Sequence, residues 1–238
     1  MKILLLGYGK MGKTIEAIAL ERGHQVIEKI DLDNRTALEQ YNGSNVDVAI
    51  EFSQPDAAFE NIGYCIKNGI PVVSGTTGWL DKKEQIHELC RSHDGTFFYA
   101  SNFSIGVNLF FRLNEQLAGM MEAFDDYNIS MEEIHHTEKK DEPSGTAISL
   151  AEGIMAHNRN KESWALNQTD SKNIIPIVSK RVGEVPGTHI VTYASLVDSI
   201  EIKHTAHSRQ GFARGAMQVA EWVPGKKGVL GMTDFLKI

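Results

Sequence analysis

A glycine-rich turn at the start of the chain restricts the fold more than any other segment. Residues 1–15 read MKILLLGYGKMGKTI, so Gly7, Gly9 and Gly12 follow a short apolar run and precede apolar residues at helical spacing. In a G-x-G-x-x-G turn between a strand and a helix, the first glycine permits the tight turn and the second lets the backbone approach a pyrophosphate. The third lets helix and strand pack closely, with the phosphates at the positive end of the helix. The segment therefore predicts dinucleotide binding by Gly7, Tyr8, Gly9, Lys10, Met11 and Gly12.

The predicted second strand, HQVIEKID, ends in an acidic residue. Its distance from the glycine loop is the one expected of a ribose-binding carboxylate. Asp31 ends that strand, and Asp33 is the second candidate for the same role. A carboxylate there suits the free 2′-hydroxyl of NADH, whereas NADPH usually recruits a cation. We therefore expect NADH or NADPH as the cofactor, with NADH favoured, while Lys29 and Arg35 close by keep NADPH open.

Short apolar runs alternate with helix-like segments through the first hundred residues. This alternation predicts βαβ units and a parallel sheet covered on both faces, which is an α/β fold of the Rossmann type. After about residue 104 the chain changes to one long helical segment and a series of strand-like segments. The change predicts a second, α+β domain that begins there.

Two local expectations concern the second half of the chain. The segment VNLFFRLNEQLAGMMEAF predicts a long amphipathic helix, with Leu109, Leu113, Leu117 and Met121 on its apolar stripe. Residues 158–173 are polar and without periodicity, so we expect a loop there.

Polar or glycine-containing turns follow three more of the predicted strands. In an open parallel sheet, the loops at the carboxyl ends of the strands face the ligand crevice. Each turn taken alone is also ordinary for a surface loop. Their shared position favours cofactor binding by Phe52, Gly75, Thr76, Thr77, Ala100, Ser101, Asn102 and Phe103.

The overall charge limits the partners. The chain has 238 residues and a formal net charge of −7, whereas nucleic acids and anionic membranes bind proteins with a positive field. We therefore expect no nucleic-acid and no membrane partner, although the charge leaves room for a local cationic pocket. No apolar run approaches the roughly 20 residues of a membrane span. Cys65 and Cys90 form no CxxC pair, which favours a reducing, cytoplasmic location.

Residues 135–147 read HHTEKKDEPSGTA and concentrate proton-carrying and cationic groups in an acidic chain. Histidine side chains such as those of His135 and His136 can carry or donate a proton, and Lys139 and Lys140 add full positive charge. A solvated loop is the alternative interpretation of any such charge run. The two adjacent histidines at the end of a predicted strand favour a substrate site instead.

A predicted helix begins directly after these charges. Ser144, Gly145 and Thr146 stand at its start, where serine and threonine are favoured caps. The first N–H groups of a helix and the positive end of its dipole bind anions. The segment therefore predicts a seat for an anionic, carboxylated substrate beside groups that deliver protons.

The segment HHTEKKDEPSGTA resembles the motif of the dihydrodipicolinate reductases, the reductases of the diaminopimelate route to lysine. GYGKMG, SGTTGW, ASNFSIGVNL and RQGFARGA are similar to further segments of that family in the same order, so the resemblance spans nearly the whole chain. It implies a Rossmann domain, a second domain on a mixed open sheet, and a homotetramer assembled through those sheets. It also implies that the dinucleotide-binding domain covers 1–103, joined by about 208–238, and that the substrate-binding and oligomerisation domain covers 104–207.

The resemblance also implies the roles of individual residues and the reaction. His135 would be the acid/base residue, Lys139 a proton donor that also contacts the substrate, and His136 a substrate contact. Gly145 and Thr146 would hold a substrate carboxylate. The implied reaction is the NAD(P)H-dependent reduction of 4-hydroxy-tetrahydrodipicolinate, a small cyclic dicarboxylate, to tetrahydrodipicolinate and water.

Some features depart from the family, and some alternatives stay open. Many members have one more residue in the glycine turn and a cation after the second strand, so Asp31 leaves the balance between NADH and NADPH open.

The glycine loop alone also suits another Rossmann-fold dehydrogenase acting on an amino acid or a sugar, or a non-catalytic NAD(H)-binding regulator. The histidine–lysine run before the helix start favours the reductase over both. His204 and His207 lack zinc-type spacing, and we expect no metal.

Overall fold

The computed structural model describes residues 1–167, 171–208 and 210–237. The RQGFARGA segment noted in the sequence starts at Arg209, which lies outside the described residues. None of the described helices is long and apolar enough to cross a membrane.

The chain divides into two compact units. The first combines Met1–Ile105 with the C-terminal segment that begins at Gln210, and the second begins at Gly106. In chain order, the elements of the N-terminal part are β1 (Lys2–Leu6), α1 (Lys10–Glu21), β2 (Gln25–Ile30), β3 (Val48–Glu51), α2 (Pro55–Lys67), β4 (Val72–Ser74), α3 (Lys83–Ser92) and β5 (Thr96–Tyr99). Two 3₁₀ helices lie between them, Leu32–Gln40 and Leu80–Lys82.

The second unit follows, and the chain then returns to the first. The elements of the middle part are α4 (Ile105–Met121), β6 (Asn128–His135), α5 (Gly145–His157), β7 (Ser163–Leu166), β8 (Ile174–Arg181), β9 (Gly187–Ala194) and β10 (Ser199–Ala206). The C-terminal segment contributes α6 (Gln210–Trp222), β11 (Gly228–Leu230) and α7 (Met232–Leu236).

The first unit is built on six parallel strands in the order β11-β5-β4-β3-β1-β2. Helices cover both faces, so a continuous apolar run such as β1 is buried on both sides. Ile3 and Leu5 pack in the cluster that contains the apolar residues of α1 and α6. Leu4 and Leu6 pack in the cluster that contains those of α2 and α3.

The strands of this sheet end in line with one another. Cross-strand neighbours at their carboxyl ends are Ile30, Leu6, Glu51, Ser74 and Tyr99. The turns after β1 to β5 therefore open along one edge of the sheet, which is where open parallel sheets bind ligands.

The C-terminal segment completes this first unit. Strand β11 pairs in parallel with β5 and adds the last strand of the sheet. Helix α6 contributes Ala213, Ala216 and Met217 to the core that also contains Ile15 of α1.

The second unit is built on a mixed sheet in the order β10-β9-β6-β8-β7. Strand β6 lies in the middle, antiparallel to β9 and parallel to β8. One core joins Phe110 and Ala118 of α4 and Leu150 and Ile154 of α5 to apolar side chains of the sheet such as Tyr193. The predicted fold class, a Rossmann-type domain with a second domain on a mixed sheet, is thereby confirmed.

The predicted apolar stripe of α4 is partly wrong: Met121 is buried and Leu117 packs against the core, but the other two leucines do not. Leu109 and Leu113 are about half exposed, and the buried stripe runs through Phe110, Asn114 and Ala118 instead. An asparagine occupies this stripe because its amide donates a hydrogen bond to the backbone oxygen of Leu150, at 2.9 Å.

The loop expected over residues 158–173 is also partly wrong. The short strand β7 lies within it and pairs with β8. As an edge strand with exposed ends at Ser163 and Leu166, β7 has little apolar alternation by which to be recognised. Residues 168–170 lie outside the described residues.

Candidate functional site

The glycine turn after β1 has the geometry that its sequence predicts. Gly7 has a φ of +91°, and a Cβ at this position would collide with the carbonyl group of Phe52. A Cβ at Gly12 would collide with the carbonyl oxygen of Gly7, so these two positions need glycine. A Cβ at Gly9 would meet nothing within 4 Å, which leaves the start of α1 open to a ligand.

A cavity of about 240 Å³ adjoins this turn. Gly7, Gly9, Asp31, Arg35 and Phe52 are among the residues that line it. A glycine-rich turn, an acidic group and a cleft along the sheet edge suit the adenosine half of a dinucleotide. The residues present therefore fit the nicotinamide dinucleotide that the sequence predicts.

The charged groups beside the cavity differ in the contacts that they make. Asp31 accepts a hydrogen bond from the backbone N–H of Leu32 at 3.0 Å and caps the following 3₁₀ helix. The ammonium group of Lys29 lies 2.9 Å from the carboxylate of Glu16. This carboxylate also accepts a hydrogen bond from the hydroxyl group of Tyr8. Asp31 and Arg35 line the cavity, whereas the charge of Lys29 is engaged by Glu16.

A buried glutamate connects the loops after β3 and β4. Glu51 is fully buried and accepts hydrogen bonds from the hydroxyl groups of Ser53, Ser74 and Thr76, the last at 2.9 Å. The backbone N–H of Ser53 also donates to it, at 2.9 Å. Glu51 was not predicted as a functional residue. The signal in the sequence is an acidic residue at the end of a strand whose other residues, VAI, are apolar.

The remaining predicted cofactor residues stand in different environments. Thr77 and Ser101 are exposed at the edge of the sheet, and the side chain of Thr76 is held by Glu51. Phe103 is 2% exposed and packs against the rings of Phe52 and Phe98, at centroid distances of 5.5 and 5.9 Å. The side chain of Phe103 is therefore part of the core, and only its backbone is available to a cofactor.

In the second unit, the first of the two histidines predicted from the sequence, His135, is the last residue of strand β6, and His136 follows it. His135 is buried on the same face as Glu133, and its Nδ1 lies 3.4 Å from a carboxylate oxygen of Glu133. The ring of His189 on β9 stands edge-on to it, with the two centroids 5.0 Å apart. His136 lies just beyond the strand and is half-buried.

Glu133 is the centre of a buried hydrogen-bond network. It is fully buried, and the backbone N–H of Ser144 donates to its two oxygens at 3.1 Å each. The Ser179 hydroxyl donates at 2.9 Å and a terminal nitrogen of Arg181 at 3.2 Å. Neither Glu133 nor Arg181 was predicted. The available signal was the spacing of two between Glu133 and His135, which puts both on one face of a strand.

These contacts change the proton affinities of the buried groups. Although burial alone would raise it, the pKa of Glu133 lies below its ordinary value because Ser144 and Ser179 donate hydrogen bonds and His135 contributes charge. Burial lowers the pKa of His135, against the opposing charge of Glu133. Burial, with a contribution from His135, lowers the pKa of His189 to about 4. His189 is therefore neutral near pH 7.

The lysine of the predicted site lies on the loop after β6. The Lys139 ammonium contacts both carboxylate oxygens of Asp141 at 2.8 Å. Arg181 donates to the backbone oxygens of Lys139 and Asp141, at 3.3 and 2.6 Å. Lys140 is exposed. The loop therefore holds Lys139 in place through its backbone and leaves Lys140 at the surface.

The predicted carboxylate seat forms the start of α5. The Ser144 hydroxyl accepts a hydrogen bond from the N–H of Ala147 at 3.2 Å and lies 3.1 Å from Nε2 of His189. Ser144 is 2% exposed and its hydroxyl caps the helix, and its role in substrate binding stays a prediction. Gly145 is exposed, Thr146 is half-buried, and the N–H groups of a first turn have no partner within the helix.

One group of three side chains among the described residues could reach a metal ion. Ligand atoms of Glu133, His135 and His189 lie within 4.8 Å of one another. However, Glu133 already accepts hydrogen bonds from Ser144, Ser179 and the cationic Arg181. The donor set therefore suits a fixed carboxylate that stabilises a proton on histidine.

Comparison with known proteins shows which sequences and structures the chain is similar to. Residues 1–103 match the family described as dihydrodipicolinate reductase, N-terminus, and residues 106–236 match dihydrodipicolinate reductase, C-terminus. A 4-hydroxy-tetrahydrodipicolinate reductase of Christiangramia forsetii is 53% identical over 236 residues, which cover 99% of this chain and 98% of the relative. Its counterpart in Desulfovibrio desulfuricans is 34% identical over 95% of each chain. A dipicolinate-bound dihydrodipicolinate reductase from Paenisporosarcina sp. TG-14 shares the fold, with a TM-score of 0.77, 22% identity and 99% of each chain covered.

Proposed function

The chain belongs to the dihydrodipicolinate reductase family, and on that premise we propose that His135, Lys139 and the start of α5 form its substrate site. It is an oxidoreductase of lysine and diaminopimelate biosynthesis that reduces 4-hydroxy-tetrahydrodipicolinate to tetrahydrodipicolinate with a nicotinamide dinucleotide. The family assignment favours this reaction over the amino-acid or sugar dehydrogenase and the non-catalytic regulator that the glycine loop alone left open.

The substrate is a small cyclic dicarboxylate, and the second unit supplies groups that complement it. We place one carboxylate at the N–H groups of Gly145 and Thr146, where the helix dipole is positive. His136 and the ammonium of Lys139 supply further donors. Lys139 would exchange its contact with Asp141 for the substrate carboxylate, which replaces one carboxylate partner by another.

The reaction needs a proton as well as a hydride, because water leaves when the 4-hydroxy group is replaced by hydrogen. The nicotinamide supplies the hydride when it is bound. His135, buried at the end of β6 against Glu133, supplies the proton, with Lys139 as the second donor. Proton transfer by a positioned side chain typically contributes about 10²–10⁴-fold to the rate. One observation carries this proposal: His135 and the loop of Lys139 both belong to the hydrogen-bond network around the buried carboxylate of Glu133.

We propose NADH as the preferred cofactor, with NADPH as the second. Asp31 lines the cavity beside the glycine turn and suits the 2′-hydroxyl of NADH. Arg35 lines the same cavity and would tolerate the 2′-phosphate of NADPH. The turn itself would hold the pyrophosphate, and the loops organised by Glu51 would border the rest of the cofactor.

The assembly and the location of the protein are further proposals. We propose a homotetramer formed through the face of the mixed sheet that α4 and α5 do not cover. Cross-strand neighbours Val178, Glu132 and Ile190 lie on that face, and all three are half-buried in the single chain. We also propose a cytoplasmic location, and domains at 1–103 with 208–238 and at 104–207, limits that lie close to those of the compact units.

A direct assay tests the proposed site and cofactor. The purified chain is mixed with 4-hydroxy-tetrahydrodipicolinate made in situ, and the loss of NADH and of NADPH absorbance is followed separately. We expect turnover with both and a higher kcat/KM for NADH. Full activity of the His135→Ala variant in this assay would contradict the proposed site.

A further inference from the structure

A buried ion pair connects four parts of the second unit. Glu133 lies on the central strand β6 and Arg181 at the end of the neighbouring strand β8, with 3.2 Å between their charged groups. Glu133 is fully buried, and the Arg181 side chain is only 18% exposed. A buried pair is costly to form unless its remaining hydrogen bonds are satisfied. The contacts that satisfy this pair lead to the helix start and to the lysine loop.

On the Glu133 side, the contacts fix the carboxylate against the histidine. The Ser144 N–H and the Ser179 hydroxyl leave it little freedom to rotate. Its Oε2 lies 3.4 Å from Nδ1 of His135. A carboxylate in this position favours a proton on Nδ1 and stabilises the imidazolium form, as fixed partners of a histidine generally do.

On the Arg181 side, the contacts fix the loop that carries the lysine. The guanidinium donates to the backbone oxygens of Lys139 and Asp141 at 3.3 and 2.6 Å. A planar guanidinium presents several donors in a fixed geometry, which a lysine ammonium cannot reproduce. Arg181 therefore determines where the backbone holds Lys139, although it does not touch the Lys139 ammonium.

We propose that the buried Glu133–Arg181 pair positions the two proton-carrying residues of the site. Glu133 favours the protonated form of His135 through its charge, and Arg181 sets the place of Lys139. Both are positioning residues, since each acts through another side chain or the backbone. This inference rests on the roles proposed above for His135 and Lys139.

Several charged groups face His135 and together determine its titration. Glu133 approaches from its own strand, Arg181 from β8, and His189 from β9. Lys139 and Asp141 approach from the following loop. Burial, Lys139 and Arg181 favour the neutral ring, whereas Glu133 and Asp141 favour the protonated ring. Removing the charge of Glu133 therefore lowers the pKa of His135 further.

The first test is Glu133→Gln, with Glu152→Gln as a matched control. The control makes the same chemical change in the same unit, at an exposed position of α5. The measurement is kcat/KM for the substrate from about pH 5 to 9, with circular dichroism to verify folding. We expect the alkaline limb of Glu133→Gln to move by about one unit or more to lower pH, because an opposite charge shifts a pKa by about 1–3 units. Glu152→Gln should keep the wild-type limb.

The second test is Arg181→Lys, which keeps the positive charge and changes the donor geometry. We expect the KM for the substrate to rise and kcat to fall, each by about tenfold, while the KM for NADH stays at the wild-type value. This variant also decides the proposal if Glu133→Gln does not fold. A role in folding alone would lower the stability of Arg181→Lys but leave its kinetic constants near those of wild type.

The outcomes separate this inference from the proposed site. An unmoved alkaline limb in folded Glu133→Gln, or wild-type kinetic constants in Arg181→Lys, overturns the positioning role. If His135→Ala itself keeps full activity, the proposed site fails first. If His135→Ala loses activity and the two positioning variants behave as wild type, only this inference fails.

Discussion

Each unit of the chain buries one glutamate completely at the end of a central strand, but the partners of the two carboxylates differ. Glu51 in the first unit accepts hydrogen bonds from the neutral groups of Ser53, Ser74 and Thr76. Glu133 in the second unit also contacts a guanidinium and an imidazole. The donors around Glu51 hold two loops in place, whereas the contacts of Glu133 also connect it to side chains that carry protons or charge. The first environment therefore suits the binding of a cofactor, and the second suits proton transfer.

The largest effect that follows from this comparison concerns the rate. We expect His135→Ala and Lys139→Ala to lower kcat by about 10²–10⁴-fold, because the proton donor is lost or displaced. The affinity for NADH should stay at the wild-type value, measured by fluorescence titration. Thr76→Val, which removes a donor to Glu51, should have the reverse pattern, with a raised KM for NADH and nearly unchanged kcat. Equal losses of kcat in all three variants would contradict the different roles assigned to the two units.

The second prediction concerns stability. Glu133→Gln leaves Arg181 buried without its counterion and should lower the free energy of unfolding by about 3–5 kcal/mol. Glu51→Gln loses only neutral hydrogen bonds and should lower it by about 1–3 kcal/mol. Urea unfolding reports each unit separately in variants that keep only Trp164, in the second unit, or only Trp79, in the first. A larger loss for Glu51→Gln would contradict the assignment of charged partners to Glu133.

The third prediction is a pH dependence confined to the second unit. Burial lowers the pKa of His189 from its ordinary 6.5 to about 4, so the neutral ring stabilises the folded state fully above pH 6.5. This contribution is lost as the pH falls from about 6.5 to 4 and amounts to about 2–3 kcal/mol. His189→Asn should flatten the Trp164-monitored stability over this pH range. The Trp79-monitored stability should be the same with and without the substitution.

The smallest effect concerns cofactor choice in the first unit. Asp31→Ala should raise the KM for NADH about tenfold relative to that for NADPH, because a hydrogen bond from the ribose to a charged group is lost. The ratio of the two kcat/KM values is the measurement, and Asp33→Ala is the control. A changed ratio in the control alone would assign the ribose contact to Asp33.

The parts of the molecule that were predictable from sequence are those that depend on neighbouring residues. Gly7 and Gly12 are required by a turn of a few residues, and the run from His135 to Lys139 places its groups by local spacing. Arg181 reaches Glu133 only because β8 pairs with β6, although 48 positions separate them in the chain. A contact of this kind depends on strand order, which a single sequence does not contain.

The buried stripe of α4 shows a second limit. Leu109 and Leu113 have the apolar character expected of a core, yet the interior contains Asn114 because a carbonyl of α5 accepts its hydrogen bond. Polarity predicts burial only when the partners of each polar group are known. For the same reason, the burial of Glu51 and Glu133 was not predictable, because polarity alone would place these charged side chains at the surface.

The return of the chain to its first unit has a consequence for biosynthesis. The ribosome makes the second unit before α6 and β11, so the first sheet lacks an edge strand, and its core lacks α6, until the last residues have been made. The second unit is contiguous and has its own core, so it can fold while the first is still incomplete. A ribosome that stops shortly after β10 therefore releases a chain that contains every residue of the Glu133 network but lacks the last strand of the parallel sheet.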